Sequence, residues 1–154
     1  MPLFWWQVSL KDKRVQMFGN RLRSSVLLGV IIGAGYFFLV RRLNLLVIRW
    51  ETSLLGIVLA TAVTEELVFS GFVAGYLEKI QKGRLINLLI VGLMVAVIKM
   101  PILLFFYKLG MMDLSGVILF AWASGVINAW IRVETGNVSG SILARMGMNL
   151  AVLG

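Results

Sequence analysis

A chain of 154 residues that is 60% apolar and only 14% charged is unlike a water-soluble domain, which runs roughly half apolar and about a quarter charged. It contains no cysteine and no histidine, which excludes disulfides, thiolate chemistry, histidine-ligated metal, a Ser-His-Asp triad and any imidazole base within this chain. Its net charge of +8 fits membrane topology and anionic lipid better than nucleic acid, because no basic run is interleaved with aromatics on a polar segment.

The first 23 residues, MPLFWWQVSLKDKRVQMFGNRLR, read as a basic amphipathic segment at the membrane interface. Leu3, Phe4, Trp5 and Trp6 suit the headgroup belt, and the lysines and arginines suit an anionic cytoplasmic leaflet. The apolar part precedes the charges and no small-residue cleavage site follows, so the segment does not read as a signal peptide. Residues 24–154 form a single transmembrane domain in this reading. Its five apolar segments are 24–40, 53–77, 85–107, 114–131 and a short last one, 139–154.

All five are expected to be helical, since a span in lipid must satisfy its backbone internally and these runs are too long for barrel strands. The fold class is therefore an all-α membrane protein of about five helices around a polar intramembrane cavity. Gly29 and Gly33 form a small-xxx-small pair that permits close helix packing. Residues 110–113 read as a short exposed turn, and Met94, Met100, Met146 and Met148 as packing filler. The Lys and Arg residues in successive connections number five, three, three, one and one. Alternate sides thus carry nine and four, which favours a cytoplasmic N-terminus and a cell-membrane location.

Four charges fall inside the spans. The stretch TAVTEELVF (61–69) places Glu65 and Glu66 near the middle of the second, Lys99 lies in the third and Arg145 in the fifth. An unpaired charge at mid-bilayer costs at least about 2.5–3.5 kcal/mol on insertion scales, so such residues face the bundle interior and pair. Two acids and two bases on three helices predict an ionic cluster, which is either a fold-specifying clip or a site. Asn149 shares a helix face with Arg145 and can donate and accept. Pro101 removes a backbone donor and frees the Val97 carbonyl beside Lys99.

These residues also carry a resemblance. TEELVFSGF (64–72) resembles the E-E-x-x-x-R motif, followed by Gly, of the CPBP (CAAX protease and bacteriocin-processing, or Abi) family of intramembrane proteases. Glu65, Glu66 and Gly71 match, and Ser70 stands where the family has Arg. VAVIKMP (95–101) resembles the family's F-x-x-x-H motif, with Val95 for Phe and Lys99 for His. VETGNVSGSILARMGMNL (133–150) resembles the final Thr-Gly turn and H-x-x-x-N helix, with Asn149 matching and Arg145 in the place of His. The resemblance covers about residues 53–154, in the family's order and spacing.

It implies a multi-span helical protein with a water-filled cavity, in which a Glu activates water against a peptide bond near a lipidated cysteine or within a leader peptide. It places the catalytic positions at Glu65, Glu66, Lys99, Arg145 and Asn149. The departures point the other way. Cations beside a carboxylate favour its ionised, engaged form, whereas a glutamate base works best when desolvation holds it nearer neutrality. No cofactor and no metal are expected, because imidazole is missing and two cations repel a divalent ion. The leading expectation is a non-cleaving member that binds a peptide, a lipidated tail or a partner membrane protein, with bacteriocin self-immunity among the roles the resemblance suggests. The alternative is an active endopeptidase processing prenylated or leader peptides through Glu65 and Glu66. A transporter element is a third, weaker reading.

Overall fold

The computed structural model describes residues 17–19, 21–43, 55–80 and 83–153. Most of the basic N-terminal segment therefore lies outside the described residues. The helices are α1 (Leu22–Leu43), α2 (Leu55–Ile80), α3 (Arg84–Phe105), α4 (Met111–Thr135) and α5 (Ser139–Leu153). The first four are long and apolar enough to cross a membrane. The fifth has 15 residues and is largely enclosed by the others, with Ser141, Ala144, Arg145 and Ala151 fully buried. Met111, Met112 and Asp113 are not a turn but the exposed first turn of α4, where an acidic side chain meets the positive end of the helix dipole.

Lipid offers little hydrophobic drive for helix association, so close packing has to come from small side chains. The seam between α1 and α5 shows this. A Cβ added at Gly29 would lie 2.3 Å from the carbonyl oxygen of Gly140, and one at Gly147 would lie 2.3 Å from that of Gly33. The two backbones are in direct contact, as the Gly29 and Gly33 spacing predicts. A second such contact joins α3 to α4, where Gly92 and Gly125 meet. Phe38, Ile57, Ile98, Phe105 and Leu119 point outward and are exposed, as lipid-facing residues are.

The turn between α4 and α5 is firmly tied. Gly136 takes the left-handed conformation, φ 67°, and its N–H donates to the Arg132 carbonyl at 2.7 Å, ending α4 in the manner that favours glycine. Gly19 N–H donates to the Gly136 carbonyl at 2.9 Å, and Val138 N–H to the Met17 carbonyl at 2.8 Å. From α1, Ser25 Oγ donates to the Asn137 carbonyl at 2.8 Å and accepts from Gly140 N–H at 2.9 Å. These bonds fix where α5 starts, and so the height at which Arg145 enters the bundle.

Two apolar clusters flank the interior. One joins Tyr36 and Val40 of α1, Ile131 of α4, and Ala144 and Met148 of α5. The other joins Phe69 and Ala74 of α2, Leu88, Val91 and Val95 of α3, and Ala129 of α4. The polar residues discussed next come from the same helices.

Candidate functional site

Glu65 and Glu66 end the first α-helical stretch of α2, Leu55–Glu66. The next seven residues, Leu67–Val73, wind as a π-helix, in which the N–H of Ala74 donates to the Phe69 carbonyl. Such wide turns are uncommon and recur at functional sites. Ser70, four residues after Glu66, lies within this stretch and its hydroxyl donates to Glu66 Oε2. The small side chain at this position thus still serves the acid.

Glu66 is 1% exposed, and three donors meet it. Besides Ser70, Arg145 Nε donates to its Oε1 at 2.7 Å and Asn128 Nδ2 to the same oxygen at 2.8 Å. Arg145 is fully buried. Its Nε is also 3.5 Å from Glu65 Oε2, its Nη1 donates to Ser124 Oγ at 3.3 Å, and Nη1 lies 3.7 Å from Met148 Sδ. Lys99 Nζ donates to Glu65 Oε1 at 2.9 Å, and these two side chains keep about a fifth to a quarter of their surface exposed, at 20% for Glu65 and 24% for Lys99. Pro101 follows Lys99 closely, and past it α3 winds with π spacing, Tyr107 N–H donating to the Ile102 carbonyl at 3.1 Å.

The structure therefore brings Glu65, Glu66, Lys99 and Arg145 into one cluster with two positive and two negative groups. Burial of an ion from water is costly, and a nearby counter-ion with additional hydrogen bonds offsets that cost. The arrangement is graded: the Glu66–Arg145 pair is closed and the Glu65–Lys99 pair is the more open one. Asn149 stands apart. It is partly buried and its side chain makes no hydrogen bond among the described residues, whereas the amide that completes the cluster belongs to Asn128 of α4.

Asn128 was not legible from the acidic motif, but a signal for it exists. Ser124, Asn128 and Arg132 recur every four residues in the fourth span, one polar stripe on an otherwise apolar helix. All three are buried. Ser124 faces Arg145, Asn128 faces Glu66, and Arg132 Nη1 donates to Glu78 Oε2 of α2 at 2.6 Å. Tyr36 of α1 joins the stripe, its hydroxyl 3.3 Å from Asn128 Oδ1 and 3.4 Å from the Ser124 carbonyl oxygen.

The chemical capacity of this set is narrow. A divalent metal does not fit it: the oxygens that would ligate are engaged by Lys99 and Arg145, and cations at that distance oppose a metal's charge. A carboxylate general base must be free to take a proton, and Glu66 is held by three donors. Two buried atoms in the cluster lack a hydrogen-bond partner among the described residues, Glu65 Oε2 and Arg145 Nη2.

The family model described as Type II CAAX prenyl endopeptidase Rce1-like matches residues 49–151, well over half of the chain. No curated protein and no solved structure gives a match. The matched span contains the acidic pair with its π-helical turn, the Lys-x-Pro of α3, the Thr-Gly turn and Arg145, in one continuous bundle of apolar helices. The chain is thus a membrane-embedded member of the CPBP family, the group of CAAX prenyl endopeptidase-like proteins.

Proposed function

We propose that this chain is a non-cleaving member of its family, which uses the intramembrane site to bind a peptide or lipidated tail without hydrolysing it. The observation that carries this reading is the direct contact of both acids with cations that stand at the family's histidine positions. Lys99 is on Glu65 at 2.9 Å and Arg145 on Glu66 at 2.7 Å. Each acid is thus occupied by a cationic donor, and neither a guanidinium nor an ammonium ion has the neutral nitrogen with which an imidazole accepts or relays a proton at neutral pH. A role in self-immunity against bacteriocins agrees with this reading, as sequestering a peptide needs recognition and no turnover.

The endopeptidase alternative draws on the more open Glu65–Lys99 pair, where a peptide could approach a carboxylate. One experiment separates the two. The purified protein in liposomes is offered a farnesylated CAAX peptide bearing a photo-crosslinker, and binding and cleavage are followed together. The proposal predicts saturable crosslinking of intact peptide, and cleavage only after Lys99→His and Arg145→His are introduced jointly. No saturable crosslinking, or cleavage by the unaltered chain that Glu65→Ala abolishes, would overturn it.

A further inference from the structure

A run of hydrogen-bonded side chains stands behind Glu66 and begins outside the region matched to the family. Tyr36 lies in α1, ahead of residue 49 where the match starts. Its ring is buried and packs edge-on against Phe120 of α4, centroids 5.9 Å apart. That contact aims the hydroxyl at the buried polar stripe of α4. There it meets Asn128 Oδ1 at 3.3 Å, while Asn128 Nδ2 donates to Glu66 Oε1 at 2.8 Å.

The chemistry of an amide makes this directional. Asn128 has one acceptor oxygen and one donor nitrogen. Glu66 Oε1 accepts from the amide nitrogen, which leaves the amide oxygen facing the phenol, and the phenol braces it from behind. Reversing the amide would set its carbonyl oxygen against a carboxylate oxygen, two acceptors with no proton between them, in surroundings where an unmet polar group is expensive.

We infer that Tyr36 and Asn128 act as a positioning relay, in which the α1 hydroxyl braces the Asn128 amide in place and the amide holds the Glu66 carboxylate. Both are positioning residues, since neither is required to touch a bound ligand. The relay makes α1 part of the site and assigns the two acids different work: Glu66 is pinned from α1 and α4, and Glu65 is not. It concerns the geometry of the acid pair and stands whether or not the site cleaves.

The test uses the full chain in liposomes and dicyclohexylcarbodiimide, an apolar reagent that modifies carboxyl groups in protonated form within membranes. Tandem mass spectrometry then reports adducts on Glu65 and Glu66 separately. The unaltered chain is expected to be modified at Glu65 well above Glu66. Tyr36→Phe keeps the ring on Phe120 and removes only the hydroxyl. It should raise Glu66 modification several-fold with Glu65 unchanged, and Asn128→Leu should raise it further. Lys99→Met, which touches only the other pair, should raise Glu65 and leave Glu66 alone. If Asn128→Leu does not fold, Tyr36→Phe decides the matter. Unchanged Glu66 modification in folded Tyr36→Phe overturns the relay. An equal rise at both acids also overturns it, since that is the mark of general loosening.

Discussion

Arg145 has a fully buried guanidinium, one carboxylate at 2.7 Å and a second at 3.5 Å. Arg145→Met therefore strands Glu66 in the interior as an uncompensated charge. Breaking a buried pair from one side costs about 3–5 kcal/mol, and that is the loss expected in denaturant unfolding of the protein in micelles. Glu66→Leu combined with Arg145→Met should recover most of it, because the charge that needed a partner is gone; a double-mutant cycle reads the coupling directly. Ser70 offers a second check. Its hydroxyl sits on the other oxygen of Glu66, at the position where the family motif has Arg. Ser70→Arg should thus restore part of the stability lost in Arg145→Met, by bringing the counter-charge from α2 instead of α5. Lys99→Met is expected to cost clearly less than Arg145→Met, since the Glu65–Lys99 pair is only partly buried and Arg145 Nε still lies 3.5 Å from Glu65 Oε2. A loss as large as that of Arg145→Met would contradict the graded picture of the cluster.

The helices place these side chains through a few close approaches. At the α1–α5 seam there is no room for a methyl group at Gly147, where a Cβ would lie 2.3 Å from backbone, yet a Cβ at Gly35 meets nothing within 4 Å. Gly147→Ala should lower stability by about 1–3 kcal/mol, the usual range for forcing extra volume into a packed seam. Gly35→Ala, on α1 across the seam from Gly147, should be neutral or slightly stabilising, because alanine is the better helix former. Equal thermal shifts for the two would mean that α1 does not pack on α5 as described. This seam is partly legible in the sequence, since Gly29 and Gly33 are one turn apart; their partners Gly140 and Gly147 are seven apart on a short segment and give no local pattern. The π-helical stretch after Glu66 is not legible either. It is set by how α2 packs, and no residue in LVFSGFV demands it.

Across the whole molecule, the spans, the helical class and the convergence of Glu65, Glu66, Lys99 and Arg145 could be read because each charge in an apolar run calls for a partner. The roles of Tyr36, Ser124 and Asn128 could not be read from the acidic motif, since ordinary polar residues in spans do not announce which helix they face. Asn149 shows the same limit from the other side: it sits one turn from Arg145 and matches the family motif, yet Asn128 meets Glu66 instead. A non-cleaving role depends on what cations do at the positions that the motif resemblance pairs with the family's histidines. Its most direct test is proteolysis by the unaltered chain in liposomes, with a farnesylated CAAX peptide and a leader peptide as substrates and Glu65→Ala as the background. Cleavage no faster than that background is the predicted result. Cleavage clearly above it would show that the acids remain able to activate water beside Lys99 and Arg145, and would contradict the account.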